Sequence, residues 1–178
     1  MNVTFRRLTD DDLPTMHRWL NEPGVVEWWE GDDVSWEGVV KDYGSANPDP
    51  VEHWIAMVDG SDAGWIQCYI PDDENDEAKH WWALGVGRTA AGIDYLVGDP
   101  TARGKGVGSA IIRAFVSDVV FGRHPGWSQA CASPYAANVA SWRALEKAGF
   151  RFVGTFDDED GPCRVMLVDR YDDAGSGS

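Results

Sequence analysis

The alternation of apolar and polar positions along the chain predicts a mixed α/β protein. Residues 3–8 alternate as in a first strand, and Thr9 with the acidic residues after it is typical of a helix start. That helix carries an apolar stripe with helical spacing at Leu13, Met16, Trp19 and Leu20. Further along, the same pattern predicts helices over residues 34–43, from 106 and over 138–148, and strands over 53–58, 64–70, 92–97, 129–132, 150–156 and 164–170.

Turn and loop residues separate these elements. We expect the first helix to end near residues 22–24, where the sequence is Glu-Pro-Gly. A turn of Asp and Gly over residues 59–62 is expected to join two strands of a hairpin. The polar, acidic composition of residues 71–79 predicts a loop, and residues 81–86 are expected to extend toward the strand at 92–97.

The length of 178 residues fits one folded domain, which we place at residues 1–171 and follow with a disordered tail at 172–178. No apolar run approaches the roughly 20 residues needed to cross a bilayer, and residues 1–7 lack the apolar segment of a signal peptide. We therefore expect a cytoplasmic protein with no membrane partner. The cysteines and histidines show no metal-ligand spacing, so we expect no metal and interpret Cys68, Cys131 and Cys163 as buried or half-buried thiols.

A formal net charge of −15 narrows the class of partner. The strongly negative surface potential that this charge implies makes nucleic acid a poor partner, because phosphates would be repelled. A polycation suits such a surface. The alternative is that the charge serves only solubility, as in a salt-adapted protein, and composition alone leaves both interpretations open.

The most informative segment is residues 92–121, where an apolar strand leads through a glycine-rich turn into an apolar helix. Gly104, Gly106 and Gly108 carry no Cβ, so backbone N–H groups can approach an anion in front of the helix dipole. Arg103 adds positive charge. The turn lacks the Lys-Ser or Lys-Thr pair of a P-loop, and glycines are also ordinary loop residues, so phosphate binding and a simple turn both remain possible.

The spacing Arg103-x-x-Gly106-x-Gly108 resembles the pyrophosphate loop of the GNAT acetyltransferases, and residues 138–150 resemble their second coenzyme-facing helix. The resemblance implies an α/β (α+β) GNAT fold, with a mixed central sheet of about six to seven strands, a V-shaped splay in mid-sheet and about four flanking helices. It also implies acetyl-coenzyme A (acetyl-CoA) as cosubstrate. The coenzyme-binding residues that it implies are Tyr95, Leu96, Val97, Arg103, Gly104, Lys105, Gly106, Val107, Gly108, Ser109 and Asn138.

A second set of residues resembles a narrower family, the aminoglycoside 6'-N-acetyltransferases, over nearly the whole chain. The resemblance is carried by Val25-Val26-Glu27-Trp28-Trp29, Trp81-Trp82, Gly92-Ile93-Asp94 and Asp160-Gly161-Pro162. Carboxylates bind ammonium groups, and tryptophan faces stack on sugar rings or attract cations, so these residue types suit an aminosugar. The implied substrate-binding residues are Glu27, Trp28, Trp29, Trp81, Trp82, Asp94 and Asp160. The tryptophans of regular elements, Trp54, Trp65 and Trp142, are expected in the core.

Asp94 is the predicted catalytic residue. It lies in the middle of an apolar strand, where an unpaired carboxylate is costly to bury, so it needs a partner or a function. By the resemblance it faces the acceptor amine, where a carboxylate can bind the ammonium group and then accept its proton, directly or through a water. The alternative for Asp94 is a purely structural pairing within the sheet. Asp160, in an acidic turn, is equally open to a solvated role.

Three positions depart from the pattern of the family. Leu145 stands where better-known members carry the tyrosine assigned to protonate the leaving thiolate, while Lys79 and Ser133 replace acidic substrate-site positions. The resemblance still implies direct transfer of acetyl from acetyl-CoA to the 6'-amine of an aminoglycoside, which inactivates the drug. Alternatives are acetylation of a polyamine, a siderophore-precursor lysine or a protein N-terminus, and a non-catalytic protein that binds cationic drugs. Monomer and homodimer both remain open.

Overall fold

The computed structural model describes residues 1–29 and 31–170, which contain seven strands and six α-helices. The strands are β1 (Val3–Arg7), β2 (Glu52–Val58), β3 (Ser61–Tyr69), β4 (Ala90–Val97), β5 (Gln129–Ala132), β6 (Arg151–Asp158) and β7 (Gly161–Asp169). The helices are α1 (Leu13–Leu20), α2 (Pro23–Val26), α3 (Trp36–Tyr43), α4 (Asp76–Ala83), α5 (Val107–Phe115) and α6 (Val139–Lys147). The strands form one mixed sheet in the order β1-β2-β3-β4-β5-β7-β6, which confirms the predicted fold class.

These elements divide into two compact units. The first comprises Met1–Tyr69 and Asp94–Ile111, and the second comprises Ile70–Ile93 and the described part of Ile112–Ser178. In the first unit, β2 pairs antiparallel with β1 and with β3. In the second, β5 pairs parallel with β4 and antiparallel with β7. The single domain over residues 1–171 stays a prediction, and the tail at 172–178 lies outside the described residues.

The parallel ladder between β4 and β5 is short. It runs from Ala90 opposite Gln129 to Gly92 opposite Cys131, and it ends two residues before Asp94. A strand whose ladder stops in mid-sheet has backbone groups that a ladder partner no longer satisfies. The end of the ladder at Gly92 is what the expected mid-sheet splay requires of this strand.

The hairpin of β2 and β3 is tighter than the sequence predicts. The strand resumes at Ser61, so the turn has two residues, Asp59 and Gly60, instead of the four expected. Both have positive φ, 50° and 83°, as a turn matching the twist of the two strands requires. Helix α3, predicted from residue 34, begins two residues later at Trp36, where Ser35 Oγ accepts a hydrogen bond from Gly38 N at 3.2 Å.

The expected loop at residues 71–79 and the expected extension at 81–86 are wrong, because helix α4 covers Asp76–Ala83. Its start signal is present in the sequence: Asn75 Oδ1 accepts a hydrogen bond from Ala78 N at 2.9 Å, and two acidic residues follow Asn75. Ala78 and Trp81, three positions apart, bury one face. The helix stops where Gly85 takes φ 90°.

The first helix also ends earlier than expected. Helix α1 stops at Leu20, and Pro23 opens the separate short helix α2, a position at which its missing N–H costs nothing. Among the described helices, none combines the length and the apolar character needed to span a membrane.

The core of the first unit lies between α1 and the sheet. Trp19 and Trp65 are 4% and 0% exposed, and both belong to one cluster of buried apolar side chains with Leu96 of β4. The Trp19 ring lies directly against the backbone of Gly98, whose N–H donates to Ala63 O at 2.9 Å. A Cβ at residue 98 would collide with that ring.

We predict that Gly98→Ala destabilises the protein by about 1–3 kcal/mol, the usual cost of inserting a methyl group into a filled core. The free energy of unfolding from urea titration measures this effect. Gly126→Ala is the matched control, because a Cβ there meets no atom within 4 Å. Equal stabilities for the two variants would contradict the packing of Trp19 on Gly98.

Candidate functional site

Asp94 lies on β4 with its carboxyl group half-buried and hydrogen-bonded. Gln67 Nε2 on β3 donates to Asp94 Oδ2 at 2.7 Å. Burial raises the pKa of Asp94 above its usual range, the Gln67 hydrogen bond opposes that rise, and the negative charge of Asp32 adds to it. The sequence required a partner or a function for this carboxylate, and Gln67 is the partner. A carboxyl group with a raised pKa is also a better proton acceptor than an ordinary aspartate.

Aromatic rings surround the same part of the first unit. The centroid of the Tyr43 ring is 5.3 Å from those of both His53 and Trp65. Burial, followed by the charges of Asp32, Asp42 and Asp94, raises the pKa of the Tyr43 hydroxyl, so that it stays neutral. Burial lowers the pKa of His53 to about 4, so the imidazole is neutral at pH 7. The carboxylates near Tyr43 therefore have no cationic histidine at His53 to neutralise them.

The cluster that these rings form contains two buried polar atoms. His53 Nδ1 and Trp65 Nε1 have no hydrogen-bond partner within the described part of the chain. Trp29 packs edge-on against Trp65, with centroids 5.7 Å apart, and remains half-buried. Trp28 is also half-buried and Glu27 is exposed, both just after α2. Of the tryptophans predicted for the acceptor site, Trp29 is the one that packs in this aromatic cluster.

The glycine-rich turn precedes α5, as expected. Gly104 and Gly106 have φ of 74° and 77°, and a Cβ at either would meet no atom within 4 Å. The requirement for glycine is therefore conformational, because L side chains rarely adopt this region. Gly108 lies inside α5, and Ser109 Oγ donates to Gly106 O at 3.1 Å, which closes the first turn of the helix.

Arg103 is held more firmly than a solvent-exposed loop arginine would be. Its Nε donates to Val97 O at 3.1 Å, and its guanidinium lies so close to Gly24 that a Cβ there would come within 2.7 Å of Nη1. Nη2 is buried without a hydrogen-bond partner among the residues described. A buried guanidinium N–H beside a positive-φ glycine turn fits an anionic oxygen as its missing acceptor. Lys105 is exposed at the tip of the turn.

The tryptophan pair of α4, in the second unit, divides into a core residue and a surface residue. Trp81 is 1% exposed, packs in a buried apolar cluster, and donates from Nε1 to Ser133 Oγ at 3.0 Å. The ring of Trp81 therefore packs against other side chains as part of the core, and its substrate-binding role stays a prediction. Ser133 in turn donates to Glu77 Oε1 at 2.8 Å, so a carboxylate stands beside the position that had lost its acidic residue.

Trp82 is half-buried, and an arginine of the same chain covers its ring. The Arg88 guanidinium lies 3.7 Å from the ring centroid, and its Nη1 donates to Asp73 Oδ1 at 3.0 Å. Lys79 forms a 3.4 Å ion pair with Asp76, so its charge is partly offset within α4. A cationic ligand that stacks on this face of Trp82 must displace Arg88 first.

The remaining predicted residues of the second unit lie in a turn and at a helix start. Asp160 is exposed in the β6–β7 turn, where its N–H donates to Asp158 Oδ1 at 2.8 Å. Asn138 Oδ1 caps α6 by accepting from Ser141 N at 3.3 Å. Leu145 is fully buried, so this position serves packing.

The predictions about buried tryptophans and cysteines are confirmed in part. Trp54 and Trp65 are in the core as predicted, whereas Trp142 is half-buried beneath the guanidinium of Arg164, 4.4 Å from its ring centroid. The three cysteines are buried, as expected. The sequence analysis did not identify Gln67 or Arg88 as residues that contact the predicted site residues. Gln67 had a signal, since it is a polar residue within the mainly apolar part of β3 that follows Asp62, but nothing in the sequence linked Arg88 to Trp82.

Comparison with known proteins agrees with this fold and shows the family. A family model described as an acetyltransferase (GNAT) domain matches residues 9–158. Two relatives named aminoglycoside N(6')-acetyltransferase type 1, from Klebsiella pneumoniae and Serratia marcescens, are each 32% identical over 95% of this chain and 84% of their own length.

Solved structures give the same result. AAC(6')-Ib with paromomycin and acetyl-CoA superposes with a TM-score of 0.83 at 32% identity, over 96% of this chain and 94% of that one. The complex of AAC(6')-Ib with coenzyme A and kanamycin has a TM-score of 0.81 at 32% identity, over 95% of both chains. The chain is a member of the GNAT acetyltransferases. Within them, it belongs to the aminoglycoside 6'-N-acetyltransferase family.

We predict that Arg103→Ala weakens the binding of coenzyme A by about 10- to 100-fold, the loss expected for a charge-assisted hydrogen bond to phosphate. Isothermal titration calorimetry with coenzyme A as the probe measures the Kd. Arg151→Ala is the charge-matched control, because it removes one positive charge from the exposed ion pair with Asp169. The same Kd for both variants would contradict the assignment of the loop.

Proposed function

We propose that this protein transfers the acetyl group of acetyl-CoA to the 6'-amine of an aminoglycoside by direct attack in a ternary complex. The observation that carries the proposal is Asp94, a half-buried carboxylate with a raised pKa, in a sheet of the GNAT kind and near Asp32 and the aromatic cluster of Tyr43, His53 and Trp65. The names and ligands of the relatives support the acceptor class. A net charge of −15 favours the approach of such a polycation.

The proposed reaction needs one proton removed before the bond is made. The 6'-ammonium group binds Asp94 as an ion pair and gives up one proton to it, directly or through water, because only the neutral amine is a nucleophile. The amine nitrogen then attacks the thioester carbonyl carbon, the C–N bond forms, and the C–S bond breaks as the tetrahedral intermediate collapses. The collapse expels the coenzyme A thiolate, and the nitrogen gives its second proton to water, which yields the amide. The thiolate takes a proton from water and becomes free coenzyme A.

Two groups of residues are proposed to support this step. Backbone N–H groups of residues 95–97, past the end of the β4–β5 ladder, are candidates to stabilise the oxyanion. Arg103 and the glycine turn are candidates to bind the pyrophosphate. Leu145 cannot donate a proton, so we assign protonation of the thiolate to water, which suffices near neutral pH for a thiol whose ordinary pKa is about 8.5.

The acceptor is proposed to bind through carboxylates and aromatic rings of the first unit, namely Asp94, Glu27, Trp28 and Trp29. The substrate-binding roles of Trp82 and Asp160, which belong to the second unit, stay predictions of the sequence. Acetylation removes the charge of the 6'-amine and so weakens its charge-assisted hydrogen bonds, which is the proposed basis of drug inactivation in the cytoplasm.

The first test is release of free thiol from acetyl-CoA. We expect turnover with kanamycin, which bears a 6'-amine, and none with a 6'-hydroxyl aminoglycoside. Spermidine and free lysine are run in parallel. Activity on one of these amines without activity on kanamycin would replace the acceptor, and no thiol release with any amine would favour a binding protein.

The same assay examines Asp94. We expect Asp94→Asn to lower kcat/KM by about 10²- to 10⁴-fold, the usual contribution of a general base. The residual rate should rise with pH, since hydroxide and the free amine then replace the missing base. An Asp94→Asn variant with the kcat/KM of the unmodified protein at every pH would remove Asp94 from the mechanism.

We further predict that Arg88→Ala lowers the KM for kanamycin about 2- to 5-fold with little change in kcat, because an exposed cation–π contact of about 0.5–1 kcal/mol no longer competes for the Trp82 ring. Steady-state kinetics at saturating acetyl-CoA measure this. Arg151→Ala again controls for the lost positive charge. An equal fall in KM for the two variants would mean that net charge, and not the covered ring, limits binding.

A further inference from the structure

The partner of Asp94 has a role of its own. Gln67 and His53 are register partners on β3 and β2, so Gln67 stands in the row between His53 and Asp94. Its Nε2 donates to Asp94 Oδ2 at 2.7 Å, a short bond of the kind that a charged acceptor makes. The bond therefore occupies one of the two carboxylate oxygens.

We propose that Gln67 is a positioning residue: its side-chain amide holds Asp94 Oδ2 and fixes the carboxylate plane, so that Oδ1 is presented to the acceptor ammonium group. The inference rests on the proposed function, because it assigns Oδ1 as the atom that receives the proton. A carboxylate free to rotate about its χ2 torsion would present either oxygen in a broad range of orientations.

The other described groups around Asp94 do not stabilise its ionised form, whereas Gln67 does. Burial disfavours the charged form, and the carboxylate of Asp32 repels it. The two titratable rings of the neighbouring cluster, Tyr43 and His53, are both neutral at pH 7, so neither supplies a positive charge. Of the interactions that act on Asp94 within the described chain, the Gln67 hydrogen bond is the one that favours the carboxylate.

The direction of the pH effect follows. The Gln67 bond lowers the pKa of Asp94, so its removal raises that pKa and protonates the base at a higher pH. In Gln67→Met, which keeps the length of the side chain but has no donor, we expect the acidic limb of the kcat/KM profile to move up by about one pH unit. In Gln67→Glu, a second carboxyl group at the same distance should move it further, because two adjacent carboxylates resist ionising together.

Gln129 offers a matched control. Its Nε2 donates to Asp169 Oδ1, also at 2.7 Å, from β5 to the end of β7, and neither residue belongs to the proposed site. Gln129→Met should cost stability but leave the acidic limb where it is. If Gln129→Met moves the limb as far as Gln67→Met does, the effect is a general loss of structure, and the positioning role is wrong.

A second readout does not depend on turnover. The pKa of the Asp94 carboxyl group can be followed by ¹³C NMR titration of Asp-labelled protein, with Asp94→Asn used to assign the signal. A raised pKa in Gln67→Met supports the inference even if no aminoglycoside is acetylated, in which case the proposed function alone fails. An unchanged pKa and an unchanged acidic limb in Gln67→Met would overturn the positioning role, whatever the acceptor proves to be.

Discussion

The burial of one carboxylate in an apolar strand is the constraint on which the rest of the first unit depends. Asp94 sits on β4, where the sheet would ordinarily carry an apolar side chain, and Gln67 on the adjacent strand compensates it with a hydrogen bond at 2.7 Å. The compensation is partial, since the pKa of Asp94 stays raised. A fully paired carboxylate would be a weak base, so incomplete satisfaction suits proton transfer better than an ion pair would.

The loop proposed to bind the coenzyme also contains a polar side chain whose hydrogen bonds are only partly satisfied by the described residues. Arg103 is anchored to Val97 O, yet its Nη2 remains a buried donor without a partner among the described residues. An anchored guanidinium loses little side-chain entropy when it meets an anion, because its geometry is already fixed. Gly104 and Gly106 of the same loop have positive φ. This backbone conformation allows successive N–H groups to form a concave site for an anion. The loop is therefore preorganised to bind a ligand, and that ligand would supply the hydrogen-bond acceptor for the buried Nη2 donor.

The second unit balances its charges locally. Glu77 places a carboxylate on Ser133, Lys79 is paired within α4, and Arg88 covers Trp82. The contact between Glu77 and Ser133 joins distant positions of the chain, whereas Lys79 pairs with Asp76 three positions away in the same helix. A count of acidic and basic positions therefore does not give the local electrostatic potential in this unit.

Local signals in the sequence were sufficient to predict the mixed α/β class, the strand–turn–helix of the glycine loop and the unusual position of Asp94 in an apolar strand. They were not sufficient at α4, where the acidic first turn of the helix has the composition of a loop. The burial of Trp81 but not of Trp82, the hydrogen bond from Gln67 to Asp94 and the position of Arg88 on Trp82 became evident from the folded structure. Those outcomes depend on which distant side chains share a volume, and no local pattern encodes that.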